Sequence, residues 1–101
     1  MGNMDRKHIA GVLKEHEHAL RDRGVAALWL IGSAGRGDAT AQSDIDILVD
    51  IDPHRKFSLV DHSGLRLFLC DLLNHATDVI VTEGLRPRTR TRLRQDEVRV
   101  F

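Results

Sequence analysis

The chain has 101 residues, of which 42% are hydrophobic, so we expect residues 1–101 to form a single domain with one core. Fifteen basic residues balance fifteen acidic ones and Cys70 is the one cysteine, which argues against a whole-surface nucleic-acid binder and excludes an internal disulfide framework or a multi-cysteine zinc site. The longest apolar run has seven residues against the roughly 20 of a membrane-spanning helix, and the first residues lack a signal-peptide pattern, so we expect a cytoplasmic protein without membrane contact.

The first third of the chain predicts a helix, a strand and a loop. Residues 5–22 place apolar side chains at helical spacing, and Gly24 follows where a helix would stop. Val25–Ile31 is a continuous apolar run, which favours a strand buried on both faces. Residues 32–43 are small, polar and rich in glycine, and predict a loop with room for one helical turn.

Residues 45–51 alternate apolar and acidic side chains, the period of a strand with one apolar and one acidic face, and Pro53 ends this strand. The rest of the chain predicts a helix, a strand, a helix and a short edge strand or tail, over about 58–74, 77–82, 87–95 and 98–101. Ser58 and Asp61 form the capping-box pattern that opens the first of these helices. This element order predicts a compact α/β or α+β domain.

The acidic strand face predicts a metal site. Asp44 and Asp46 are two residues apart, so both point to the same side at a spacing of about 7 Å and repel each other. A divalent cation resolves that repulsion, because carboxylate oxygens are the ligands that Mg²⁺ prefers. Asp78 has the corresponding place on the next strand, and three carboxylates can hold two Mg²⁺ ions about 3.5–4 Å apart.

A phosphate-binding bend precedes the acidic strand. Gly32 and Ser33 directly follow the buried strand, where glycine lets backbone N–H groups approach phosphate oxygens and the serine hydroxyl adds a donor. Arg36 adds a charged group for the same phosphates. The residues therefore predict a bound nucleoside triphosphate, with its phosphates on this bend and its metal ions on the aspartates.

These residues resemble a known family. Gly-Ser, ten residues, then Asp-x-Asp is the signature of the DNA polymerase β-like nucleotidyltransferase superfamily, and it matches Gly32, Ser33, Asp44 and Asp46. The fuller run GSAGRGDATAQSDIDILVDID, with TDVIVTEGL downstream, is similar to minimal nucleotidyltransferase (MNT) proteins over nearly the whole chain. One departure is that family members commonly carry GSRARG, so Ala34 replaces their first arginine and Arg36 alone remains.

The resemblance implies a polymerase β-like palm, which is a small mixed β-sheet flanked by helices. It also implies that Asp44 and Asp46 ligate Mg²⁺, with Asp78 as third carboxylate and general base. Many MNT proteins are antitoxins encoded beside HEPN-domain ribonucleases, and active members transfer AMP from ATP to a tyrosine of the toxin. The expected substrates are therefore ATP and a HEPN-domain partner.

Two other functions stay open. One is an antitoxin that neutralises a HEPN ribonuclease by binding it, without catalysis. The other is a transferase acting on a small molecule such as an antibiotic. It ranks lower because so short a chain has little surface left for a substrate cleft.

Two groups of charged residues have less specific interpretations. We interpret Asp50 and Asp52 as solvated residues that guard a sheet edge. The arginines at alternate positions from 86 to 94 form either a solvated helix face or a docking surface, with Arg90 and Arg94 on a shared face. Direct RNA binding is not expected, because the tail has only Phe101 for base stacking.

Overall fold

The computed structural model describes residues 5–38, 40 and 42–101. The elements in chain order are α1 (Arg6–Glu15), α2 (Glu17–Asp22), β1 (Val25–Ile31), α3 (Gly32–Arg36), β2 (Ile45–Ile51), α4 (Leu59–Leu73), β3 (Thr77–Val81), α5 (Pro87–Arg94) and β4 (Val98–Arg99). The predicted order of helices and strands is confirmed, and the glycine-rich segment holds one short helix. Among the described residues, none of the helices combines the length and apolarity that a bilayer crossing requires.

The first predicted helix is broken at His16 into α1 and α2. The backbone N–H of His16 donates to the Leu13 carbonyl at 3.1 Å, so it does not reach the Val12 carbonyl as a continuing α-helix requires. The ring Nδ1 of His16 donates to that Val12 carbonyl instead, at 2.9 Å. The side chain thus takes the place of the backbone donor, and the helix restarts at Glu17.

The four strands form one mixed sheet in the order β3-β2-β1-β4. The pair β2 and β3 is parallel, whereas β1 is antiparallel to both β2 and β4. Since β2 is an interior strand, the prediction that Asp50 and Asp52 guard an edge is wrong. The Asp50 carboxylate accepts from the Thr82 hydroxyl at the end of β3, and Asp52 accepts from the His54 backbone N–H at 2.9 Å in the turn after β2.

The larger part of the core lies between one face of the sheet and the helices α1 and α4. Its buried members include Ile9, Leu13, Leu20, Leu28, Leu30, Ile45, Ile47, Val49, Leu65 and Leu69. The capping box predicted for Ser58 and Asp61 is confirmed at the start of α4, because each side chain accepts a hydrogen bond from the other's backbone N–H. This cap and the apolar packing fix α4 between β2 and β3, and so fix the parallel pair.

The opposite sheet face carries a smaller cluster under α5. Trp29, Ile31 and Leu48 are buried there, and Leu93 of α5 packs against them. Because side chains alternate along a strand, Asp46 shares this face with Leu48, and Asp78 shares it with Ile80, which also packs on the cluster. The predicted acidic site and α5 therefore lie on the same side of the sheet.

Candidate active site

Three aspartates lie where β2 and β3 begin. Asp46 and Asp78 are partners in the parallel register between these strands, so their side chains leave the same face of the sheet. Asp44 stands just before β2 and is exposed, as is Asp78, whereas Asp46 is half-buried. Asp46 is also paired across the sheet with Ile31, the residue that precedes α3. The fold thus places Asp46 between its acidic neighbours and the bend that follows β1.

The three carboxylates repel each other. Partial burial raises the pKa of Asp46, and the charges of Asp78 and Asp44 raise it further. Among the ion pairs of the described residues, none involves Asp44, Asp46 or Asp78. The negative charge at this end of the sheet is therefore not neutralised by a cationic side chain of the described chain.

The donor set suits a hard divalent cation. Carboxylate oxygens are the preferred ligands of Mg²⁺, and an added cation would relieve the repulsion that raises the pKa of Asp46. Within the described ranges, no three His, Cys, Asp or Glu side chains are already gathered closely enough to hold a metal ion. Metal ligation by Asp44, Asp46 and Asp78 fits the chemistry of the site and stays a prediction.

The bend after β1 lies against Asp46. Gly32 has φ +60°, in the left-handed region that glycine adopts freely, and a Cβ added to it would lie 3.1 Å from Oδ2 of Asp46. Ser33 follows in the first turn of α3 and is partly exposed. The structure therefore brings Gly32 and Ser33 beside the acidic group, as the motif spacing predicts. Their binding of phosphate stays a prediction.

We expect Gly32→Ala to cost about 1–2 kcal/mol of stability through its positive φ, and to lower turnover roughly 10-fold or more because the new methyl group displaces the Asp46 carboxylate. Thermal unfolding and the rate of nucleotide transfer measure the two effects. Gly84→Ala is the matched control, because Gly84 has φ +87° with nothing within 4 Å of an added Cβ. Equal losses of turnover in both variants would show that backbone strain alone is responsible.

Arg36 lies at the end of α3 and is already engaged by carboxylates. Its guanidinium donates to Asp38 at 3.3 Å and to Asp96 at 3.1 Å, and these two bonds raise the pKa of Arg36. The pairs are exposed, and exposed pairs are weak, so an incoming phosphate competes with them at modest cost. The predicted role of Arg36 as a phosphate ligand therefore requires it to exchange these partners.

Ala34, at the position where the resembled family commonly carries its first arginine, is part of the core. Ala34 is 1% exposed and its side chain belongs to the main core cluster. A long charged side chain in this orientation would enter the core, which is costly without a partner. In this chain Ala34 therefore packs α3 against the core, and Arg36 is the cationic residue of α3 that remains exposed.

Sequence reasoning did not identify two contacts that support the site. A Cβ added to Gly35 would lie 2.0 Å from the Asp96 carbonyl oxygen, so the segment after α5 packs directly on the backbone of α3. His75 Nε2 donates to the carbonyl of Ser43, the residue before Asp44, and holds that segment to the end of α4. Neither contact has a signal in the spacing, because each joins residues that are distant along the chain.

Comparison with known proteins identifies relatives over most of the chain. A family model described as a nucleotidyltransferase domain matches residues 13–100. A predicted protein adenylyltransferase of Methanocaldococcus jannaschii is 30% identical over 94 residues, which cover 91% of this chain and 94% of the relative. The protein adenylyltransferase MntA of Thermococcus cleftensis is 33% identical over 87 residues, which cover 85% of this chain and 86% of that protein.

Solved structures share the fold. A predicted minimal nucleotidyltransferase matches with a TM-score of 0.79 at 29% identity, over 94% of this chain and 95% of that one. A toxin–antitoxin structure with AMP-PNP matches with a TM-score of 0.71 at 18% identity, over 97% of this chain and 73% of that one. The tri-AMPylated HEPN toxin of Shewanella oneidensis in complex with MNT antitoxin matches with a TM-score of 0.63 at 17% identity, over 88% and 70%. The predicted palm, a mixed sheet flanked by helices, is confirmed.

Proposed function

The chain belongs to the nucleotidyltransferase domain family, and on that premise we propose that it is an antitoxin that transfers AMP from ATP, in a Mg²⁺-dependent reaction, to a tyrosine hydroxyl of a HEPN-domain toxin. The observation that carries this proposal is the pairing of Asp46 with Asp78 beside Gly32. Two relatives at 30% and 33% identity bear the name protein adenylyltransferase, which supports AMP as the transferred group. The fold neighbours in complex with toxins support a HEPN-domain partner.

The reaction exchanges one phosphate ester bond for another. The acceptor oxygen bonds to the α-phosphorus of ATP, the bond from that phosphorus to the bridging oxygen breaks, and pyrophosphate leaves. Mg²⁺ held by Asp44, Asp46 and Asp78 would supply neutralisation of the phosphate charges. Asp78, exposed and in register with Asp46, accepts the proton of the acceptor hydroxyl.

The bend after β1 holds the leaving group. The hydroxyl of Ser33 donates to the β- and γ-phosphates, and Gly32 allows the backbone to approach them. Arg36 adds charge once it releases Asp38 and Asp96. These residues orient the triphosphate so that its α-phosphorus faces the acidic group.

A second candidate is an antitoxin that acts by binding alone. It is favoured by the finding that, among the described residues, the aspartates are not already gathered as a metal site. In that case the carboxylates would have no part in neutralisation, and the toxin would be blocked by coverage.

One experiment separates these two functions. The chain is incubated with ATP, Mg²⁺ and a HEPN-domain ribonuclease, and the mass of the ribonuclease, pyrophosphate release and RNA cleavage are measured. We expect a mass gain of one or more adenylyl groups, an equal amount of pyrophosphate and loss of RNA cleavage, all abolished by EDTA. Parallel samples contain an ATP analogue that cannot be cleaved between its α- and β-phosphates. If the analogue sample still blocks RNA cleavage fully with no mass gain on the ribonuclease, the chain neutralises the toxin by binding and not by catalysis.

A further inference from the structure

We propose that two exposed arginines of α5 form the docking surface for an acidic segment of the acceptor protein, next to the hydroxyl that receives AMP. This surface, called here the α5 arginine surface, consists of Arg88 and Arg92, which are both exposed and lie about 40° apart on one face of the helix. The inference rests on the proposed transfer to a protein, and it adds how that protein is recognised.

The charge of the α5 arginine surface is not used inside the described chain. Among the ion pairs of the described residues, none involves Arg88 or Arg92, whereas Arg90 of the same helix pairs with Glu97 at 2.6 Å. Arg88 and Arg92 stand four residues apart, a spacing at which like charges destabilise a helix. The helix contains no acidic residue that would relieve this repulsion. An external anion is therefore the partner that this surface lacks.

The position of α5 places this charge beside the candidate active site. Leu93 and the cation–π contact of Arg90 with Trp29, at 5.4 Å, seat α5 on the sheet face that carries Asp46 and Asp78. Arg88 and Arg92 lie roughly 200° around the helix from Arg90, so they face away from the sheet. Along β2 and β3 the aspartates are two residues, or about 7 Å, from the cluster under α5. The helix α5 therefore borders the candidate active site on the same sheet face.

The chemistry of the surface favours an acidic peptide segment over RNA. Binding of single-stranded RNA uses exposed aromatic rings on which bases stack. Among the described residues near α5, Trp29 is 9% exposed and is covered by Arg90 and Arg99. Phe101 is 7% exposed. Arginine guanidinium groups match carboxylates in a two-point geometry, so Asp and Glu side chains are the fitting partners.

The test is a double charge reversal, Arg88→Glu with Arg92→Glu. The matched control is Lys56→Glu with Arg66→Glu, which makes the same charge change on the opposite sheet face. Lys56 lies just before α4 and Arg66 lies on it, and both side chains are exposed. For each protein we would measure ATP affinity without acceptor, KM and kcat for the HEPN-domain acceptor, direct binding of that acceptor without ATP, and affinity for a single-stranded RNA.

We expect the α5 reversal to weaken acceptor binding and raise its KM roughly 10-fold, to leave ATP affinity within about 2-fold, and to reduce the salt dependence of binding. The control pair should change acceptor binding by less than about 2-fold. Arg88→Gln with Arg92→Gln should give an intermediate loss, and it serves if the reversal unfolds the protein.

Three outcomes would overturn the docking proposal. An unchanged acceptor KM would show that the surface is only solvated, a fall in ATP affinity would assign the arginines to the nucleotide, and loss of RNA affinity alone would make RNA the ligand. If the wild-type chain binds the acceptor but transfers no AMP, the binding data still decide the docking surface, while the proposed transfer fails separately.

Discussion

Replacing Asp44 and Asp46 together by asparagine is expected to lower the rate of AMP transfer by at least about 10³-fold. The change removes the charges proposed to hold Mg²⁺ next to the phosphates, and metal stabilisation of transition-state charge is worth several kcal/mol, with each 1.4 kcal/mol a factor of ten. Pyrophosphate release and the mass of the acceptor measure the loss. Asp22→Asn with Asp71→Asn is the control, because it removes the same charge at exposed positions away from the site.

The same variant should be at least as stable as the wild type at neutral pH when no metal is present. Partial burial, together with Asp78 and Asp44, raises the pKa of Asp46 in the folded protein, so ionising this carboxylate costs folding free energy. The wild type is therefore more stable at low pH, where Asp46 is protonated, and it loses this stability as the pH rises through the raised pKa of Asp46. The stability difference between the two proteins should therefore shrink as the pH falls through that pKa.

Thermal unfolding with and without Mg²⁺ completes this test. Mg²⁺ should raise the Tm of the wild type and leave the Tm of the double variant unchanged, because only the wild type binds the ion. A variant that is inactive and also melts well below the wild type would attribute the lost activity to unfolding. Activity within about 10-fold of the wild type would contradict the assignment of Asp44 and Asp46 as metal ligands.

Gly35→Ala is expected to destabilise the fold by about 2–3 kcal/mol, or roughly 10–20 °C in Tm. An added Cβ would meet the Asp96 carbonyl oxygen at 2.0 Å and the Leu30 carbonyl oxygen at 2.9 Å. Both obstacles are backbone atoms, so a rotamer change cannot relieve the clash. The segment between α5 and β4 must move away from α3, which also separates Asp96 from Arg36. Chemical denaturation monitored by circular dichroism measures the loss.

Gly11→Ala is the matched control for this change. Gly11 lies on α1, is exposed, and has nothing within 4 Å of an added Cβ. Alanine there should stabilise the protein by up to about 1 kcal/mol. The reason is that alanine has less backbone freedom than glycine in the unfolded chain, so less entropy is lost when the helix forms. If Gly35→Ala were as stable as the wild type, the close packing of Asp96 on α3 would not exist in solution.

Patterns between near neighbours in the chain determined most elements. The alternation in residues 45–51 predicts β2, the continuous apolar run predicts β1, and Ser58 with Asp61 marks the start of α4. These signals are reliable because side-chain period and capping depend on bonds within a few residues. The sequence pattern does not predict the break at His16. The break depends on the His16 ring nitrogen bonding the Val12 carbonyl, and this bond does not change the spacing of the apolar side chains.

The sequence by itself therefore determined which residues are proposed to carry the chemistry: Gly32, Ser33, Asp44 and Asp46 are proposed from motif spacing, and Asp78 from its place in the next strand. Tertiary structure alone decided that β2 is an interior strand, that Arg36 is held by Asp96, and that α5 lies on the face of the aspartates. The physical reason is that strand order and helix seating depend on how apolar faces are buried against elements distant in the chain. Local spacing contains no information about those partners.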